Sequence, residues 1–150
     1  MTVMHRRRNV LRAGLALGTT LCLPQARACE FFATHLRINH PWTRASADGQ
    51  NTAIVSMRFD DVTRTDRLIG VETPVAAAAE LGGLGARPAV DFLIPQGQES
   101  ALHEFGTFVR LVGLQHRLEV ARSYPLKLVF EHSGTVNATL TVDFAGPRCS

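Results

Sequence analysis

Short stretches rich in β-branched and aromatic residues recur along most of the chain, and they limit the folds open to it. Turn signals that contain glycine stand at residues 48–49, 95–97, 104–106 and 133–134. Seven or more short strands in about 120 residues predict an all-β fold, an antiparallel Greek-key β-sandwich or barrel of the cupredoxin or immunoglobulin type. The predicted strands are residues 35–39, 52–59, 68–72, 89–94, 107–112, 126–130 and 135–144.

Two features fit this pattern less directly. Residues 76–81 have strong helix propensity, but six residues are too few to decide between helix and strand. Trp42 is the only tryptophan, and we expect it to fill the core rather than to bind a ligand.

Residues 1–28 contain the three parts of an export signal in the required order. Four arginines precede a short apolar run at residues 13–23, which is too short to span a bilayer, and Ala26 and Ala28 suit a signal-peptidase site. Residues 7–12 resemble a twin-arginine signal, with the Sec route as the alternative. We therefore predict export to the bacterial periplasm, cleavage near Ala28, and one mature domain at residues 29–150.

The net charge changes sign when the predicted signal is left out. The whole chain has 16 basic and 13 acidic residues, but five arginines and no acidic residue lie within residues 1–28. Residues 29–150 therefore carry 11 basic and 13 acidic residues, a net charge of −2. The basic pI belongs to the precursor, and a nucleic-acid partner is not predicted. Residues 29–150 also contain no apolar segment long enough for a transmembrane helix.

Two cysteines stand at opposite ends of the predicted mature domain. Cys29 is its first residue and Cys149 its second-last, and the periplasm is oxidising. A disulfide between them is the first interpretation, and it requires that the chain ends meet in space. Two free thiols that bind a metal are the alternative. Lipidation of Cys29 is a further alternative, although Arg27 stands where a lipoprotein signal has a small residue.

The residues that could perform catalysis form no recognisable motif. No nucleophile elbow, phosphate loop or zinc-ligand spacing occurs. Asp60 and Asp61 are adjacent, so on a strand they would point to opposite faces, and they more simply mark a strand end. The histidines of the mature chain show no ligand spacing, and an enzyme is not predicted. These histidines are His35, His40, His103, His116 and His132.

The order of several segments resembles the periplasmic copper chaperone family PCu(A)C. Residues 40–45, His-Pro-Trp-Thr-Arg-Ala, are similar to its first-strand signature, and residues 53–59 to its second strand. Residues 66–71 with Pro74 resemble the stretch before its first copper ligand. Gly113-Leu114, residues 125–131 and residues 134–136 resemble its C-terminal half. The resemblance implies a cupredoxin-like β-sandwich, in agreement with the strand pattern.

The resemblance also implies a Cu(I) site made from a His, a Met and a later His-x-Met. Soft thioether sulfur and imidazole together favour Cu(I) over hard cations. Matched position by position, Gly82 stands at the first His, and Phe108 and Arg110 stand at the His-x-Met. No methionine occurs after Met57 to supply the remaining ligand. The family's usual copper site is therefore predicted to be missing, with His103 and His116 as substitute candidates for a rebuilt one.

Two functions follow from these observations. The first is a divergent periplasmic copper chaperone that assists copper delivery or homeostasis. The second is a metal-free β-sandwich module that binds a periplasmic or membrane protein. Copper is implied by the resemblance alone.

Overall fold

The computed structural model describes residues 29–144, which form ten β-strands and no helix. The all-β prediction is confirmed. The strands are β1 (Glu30–Phe32), β2 (Arg37–Arg44), β3 (Thr52–Asp60), β4 (Asp66–Glu72), β5 (Ala76–Gly83), β6 (Phe92–Ile94), β7 (Ser100–Leu102), β8 (Thr107–Leu114), β9 (Ser123–Phe130) and β10 (Gly134–Asp143).

The ten strands form one sheet in the order β5-β8-β3-β2-β10-β9-β4-β6, with β1 beside β2 and β7 beside β3. Its two ends approach each other where β4 meets β5, so the sheet curls around a single core. The described pairs are antiparallel except for β2 and β10, which run parallel through Trp42 and Thr141. The prediction of a wholly antiparallel sheet is therefore wrong at this one pair.

Alternation along the strands divides core from surface. On β3, Val55, Met57 and Phe59 are buried, whereas Arg58 between them is exposed. Phe59 is fully buried and meets Phe130 of β9 edge to face, with ring centroids 6.1 Å apart. Each large side chain buried in this way contributes about 1.5–3 kcal/mol of transfer free energy, so the core supplies the main stabilisation of the curled sheet.

The structure decides the two points that the strand pattern left open, the conformation of residues 76–81 and the position of Trp42. Residues 76–81 lie in β5, where all of them except Ala77 pair with β8 and Leu81 is buried, so tertiary pairing overrides local helix propensity. Trp42 is only half-buried and lies outside the core, so the expectation that it fills the core is wrong. Asp60 ends β3, as predicted from the Asp60–Asp61 pair.

Asp66, at the start of β4, is a buried carboxylate with a full set of hydrogen bonds. It is 1% exposed. Its oxygens accept from the backbone N–H groups of Arg67, His132 and Ser133, and from the Ser133 hydroxyl at 2.5 Å. Asp66 therefore fixes the turn between β9 and β10 to the start of β4.

Both ends of the described chain lie against β2. The carbonyl of Cys29 accepts a hydrogen bond from the backbone N–H of His40, and Asp143 pairs with Arg44. Four residues of strand separate these two points, or about 13 Å. Residues 1–28 and Cys149 lie outside the described residues, so the export signal and the disulfide stay predictions.

Candidate functional site

The structure brings together the three positions that the sequence resemblance assigns to copper ligands. Gly82 of β5 pairs directly with Phe108 of β8, and Arg110 stands two residues further along β8. Val109 and Leu111 are fully buried, so the alternating Phe108 and Arg110 point to the other side of the sheet. We call this side of β5, β8, β3 and β2 the outer face.

Phe108 fills the space beside Gly82. A Cβ added to Gly82 would lie only 2.3 Å from Cε2 of Phe108, so the aromatic ring would have to move. Phe108 is itself 7% exposed, although it belongs to the outer face, because the β5 backbone at Gly82 and Gly83 covers its ring. The Phe108 ring can take this position because residue 82 is a glycine and has no side chain.

Arg110 is held by an acidic partner on the neighbouring strand. It pairs in register with Glu80 of β5, and its Nη1 lies 3.0 Å from Oε1 of Glu80. The guanidinium carbon also lies 5.5 Å from the centroid of the Phe108 ring, within the range of a cation–π contact. One cross-strand group therefore links the two strands by an ion pair, a cation–π contact and packing. Its members are Gly82, Glu80, Phe108 and Arg110.

This group does not fit Cu(I). The metal is held by thioether, thiolate and imidazole donors, and Gly82, Phe108 and Arg110 supply none of them. The guanidinium of Arg110 is paired with Glu80 and has no lone pair to offer a metal. Met57 points into the core and is 3% exposed. Among residues 29–144, no three His, Cys, Asp or Glu side chains lie close enough to share a metal.

His103 and His116, the substitute candidates, are not brought together. His103 lies in the turn before β8 and His116 lies just beyond its end, so they are separated by the length of β8, about 23 Å. The imidazole of His103 packs on Gly106. The ring of His116 contacts that of Tyr124 at a tilt of 52°, with centroids 5.6 Å apart, and Nδ1 of His116 lies 2.8 Å from the carbonyl of Arg117. The two histidines cannot bind the same metal ion.

A small cavity of about 170 Å³ opens beside this group on the outer face. Trp42 forms one wall, and the guanidinium of Arg44 lies 5.5 Å from the Trp42 ring centroid. Nη2 of Arg44 lies 2.8 Å from Oε1 of Glu104, and its Nη1 donates to the carbonyl of Phe144. The hydrogen bond from Arg44 holds the pKa of Glu104 below its usual range. The cavity is therefore lined by an aromatic ring and a neutralised ion pair.

Sequence reasoning did not find Glu80, Arg44 or Glu104. Arg44 and Glu104 are 60 residues apart in the chain, and Arg110 and Glu80 are 30 apart. No local pattern marks such pairs, because they depend on strand order and register. A correct β5–β8 register would have been the one signal able to find Glu80.

Known proteins with this fold were found by sequence and by structure. The family model described as LpqE-like, a lipoprotein family, matches residues 36–142. A search of curated proteins finds no match. The solved structure "Copper-bound PCuAC domain from PmoF2" is 26% identical, with 77% of this chain and 98% of that domain covered and a TM-score of 0.70. "Apo PCuAC domain from PmoF1" is 29% identical, with 77% and 99% covered and a TM-score of 0.70.

A more distant structure shows the same fold. The copper(I) form of DR1885 from Deinococcus radiodurans is 21% identical, with 79% of this chain and 83% of that chain covered and a TM-score of 0.62. These matches confirm the cupredoxin-like fold and the resemblance to PCu(A)C domains. Within residues 29–144, no helix has the length and apolar character needed to cross a membrane.

Proposed function

Because the chain belongs to the LpqE-like family and has the fold of PCuAC domains, we propose that it is a copper-chaperone-type protein that works in the periplasm without Cu(I) at the family's usual position. The similarity to a domain solved with copper bound, over 98% of that domain, supports the link to copper handling. The predicted export signal and the lipoprotein family support a location outside the cytoplasm.

The residues at the family's copper-ligand positions support protein contact as the mode of action. The ring of Phe108 occupies the space beside Gly82, and Glu80 neutralises Arg110, so these positions offer packing and charge rather than metal ligands. A protein of this kind contributes to copper delivery or homeostasis by binding a periplasmic or membrane protein. Neither catalysis nor nucleic-acid binding belongs to this proposal, because the similar structures are named as copper-binding domains.

The competing function is a chaperone that carries copper on other residues. The exposed His103 and His116 favour it to a limited extent, since imidazole is a good copper ligand. Each would have to work without the other, because β8 lies between them.

A Cu(I) titration distinguishes the two functions. We expect the purified protein to bind Cu(I) no more tightly than about 1 µM in competition with a chelator, because a tight site needs several soft ligands. Nanomolar binding would contradict the proposal. In that case, separate His103→Ala and His116→Ala variants would show which histidine is responsible, with His35→Ala as the matched control.

The predicted disulfide has its own test. We expect the exported protein to begin at Cys29 and to be two hydrogen atoms lighter before reduction than after it. In the chain-entropy model, closing a loop of more than 100 residues contributes at most about 4–5 kcal/mol, so a Cys29→Ser/Cys149→Ser variant should unfold at lower denaturant concentration. Two free thiols in the intact exported protein would refute the bridge.

A further inference from the structure

The cavity beside Trp42 on the outer face has a size that suits one aromatic side chain. Its volume is about 170 Å³, and an apolar protein cavity of about 150 Å³ is large enough to hold benzene. Trp42 of β2 lies directly opposite Ser56 of β3, so their side chains line the cavity from neighbouring strands. Ile54 adds an apolar wall two residues away on β3. The cavity therefore has room for a six-membered ring.

Two polar groups at this cavity have no protein partner. Within residues 29–144, nothing forms a hydrogen bond with the indole N–H of Trp42 or with the hydroxyl of Ser56. Neither group belongs to the sealed polar atoms of this part of the chain that lack a partner, so both are open to solvent. The indole N–H only donates, whereas the hydroxyl both donates and accepts. A ligand that displaces water from these groups must replace its hydrogen bonds, because leaving them unpaired opposes binding.

The charged groups that line the cavity neutralise each other. Nη2 of Arg44 lies 2.8 Å from Oε1 of Glu104, and Nε of Arg44 lies 3.3 Å from Oε2. Among the described residues, only these two bring charge to the cavity wall. A charged ligand would have to break this two-point pair or stay without a counter-charge, so the cavity favours an uncharged ligand.

A tyrosine side chain meets the conditions of size, hydrogen bonding and charge. Its ring has the size of benzene, and its uncharged hydroxyl can accept from Trp42 while it donates to Ser56. Phenylalanine has no group for these two partners, and an amide side chain has no ring to pack on Ile54. Tyrosine is also enriched at protein interfaces, where it combines an apolar body with a polar tip.

We propose that this cavity is the anchor pocket for a tyrosine side chain of the protein partner, an inference that rests on the protein contact proposed above. The position of the pocket suits this role. Ile54 pairs in register with Arg110 of β8, so one strand spacing, about 5 Å, separates the pocket wall from the family's copper-ligand positions. A partner anchored here would cover the cross-strand group at Gly82, Phe108 and Arg110.

NMR titration of the ¹⁵N-labelled protein tests the proposal. Trp42 is the only tryptophan, so the spectrum contains one indole N–H signal, and this signal reports on the pocket. We expect N-acetyltyrosinamide to shift it with a dissociation constant of about 1–10 mM, because a single side chain binds weakly. N-acetylphenylalaninamide should bind about fivefold more weakly, because it leaves Trp42 and Ser56 unpaired.

Substitutions at Ser56 separate space from hydrogen bonding. Ser56→Leu fills the pocket and should weaken binding of N-acetyltyrosinamide at least about tenfold. Ser56→Ala keeps the space and should narrow the difference between the two amides to about twofold. Ser123→Leu is the matched control, because it makes the same change at an exposed position of β9, and it should bind like the wild type. Thermal melting shows that each variant is folded.

Three results would overturn the proposal. The first is an indole signal that does not move at about 30 mM N-acetyltyrosinamide. The second is equal binding of the two amides by the wild type. The third is tighter binding of methyl glucoside or of the cation tyramine, which would assign the pocket to a different ligand. The Cu(I) titration does not depend on these results, so failure of the anchor pocket is distinguishable from failure of the proposed function.

Discussion

Replacing Asp66 with alanine is expected to lower the free energy of unfolding by about 3 kcal/mol. The carboxylate is 1% exposed and accepts hydrogen bonds from three backbone N–H groups and from the Ser133 hydroxyl. Its removal leaves the N–H groups of His132 and Ser133 without their acceptor at the turn between β9 and β10. Urea unfolding followed by tryptophan fluorescence measures the loss.

Asp66 should also make stability depend on pH. Burial alone would raise its pKa, but the hydrogen bonds from Ser133, His132 and Arg67 outweigh burial and lower the pKa below its usual value. The stabilisation is therefore fully present above the unfolded-state pKa of about 3.9, and it is lost as the pH falls through the folded-state pKa. The difference between the wild type and Asp66→Ala should shrink below about pH 4.

Two substitutions serve as controls for this prediction. Ser133→Ala removes one of the hydrogen bonds and should cost about 1 kcal/mol. Asp91→Ala breaks the surface ion pairs with Arg67 and Arg87 and should change stability by less than about 1 kcal/mol. An Asp66→Ala variant no less stable than Asp91→Ala would show that the turn does not depend on the buried carboxylate.

Restoring metal ligands to the outer face should create a Cu(I) site. The variant Gly82→His/Phe108→His/Arg110→Met places two imidazoles and a thioether at the positions that the resemblance assigns to copper. It also removes the ring that blocks position 82 and replaces a guanidinium, which cannot bind a metal, with a thioether. We expect Cu(I) affinity at least about 100-fold above that of the wild type, measured by chelator competition.

Two control variants distinguish the effect of the new metal ligands from the effect of removing the Phe108 ring. Gly82→Ala/Phe108→Ala/Arg110→Leu opens the same region without donors and should bind Cu(I) like the wild type. Gly82→His alone should destabilise the protein without adding affinity, because its Cβ would lie 2.3 Å from the Phe108 ring. If the triple variant binds no better than the donor-free control, these positions do not correspond to the copper ligands of the family.

The strands were more predictable from sequence than their arrangement. Residues 52–59 and 126–130 alternate or cluster apolar residues strongly enough to predict β3 and β9. The parallel pairing of β2 with β10 could not be predicted, because it depends on how distant strands meet rather than on local pattern. The helix propensity of residues 76–81 could not decide between helix and strand for the same reason, because pairing with β8 determines their conformation.

For the candidate site, residue identities could be interpreted from the sequence, whereas contacts between strands could not. The identities of Gly82, Phe108 and Arg110 were enough to predict that the family's ligands are missing. What occupies their place required the β5–β8 register, which sets Glu80 opposite Arg110 and the Phe108 ring beside Gly82. Trp42 was misplaced in the core because hydrophobicity alone does not tell which side of a strand a residue takes.

The position of both chain ends against β2 has a consequence for protein engineering. Cys29 lies beside His40 and Asp143 lies beside Arg44, so about 13 Å separates the points where the chain enters and leaves the sheet. A short linker could join these ends, and new termini could be opened at the exposed Asp48–Gly49 turn. The resulting circular permutant would keep every described strand pair and would place its new termini at the Asp48–Gly49 turn.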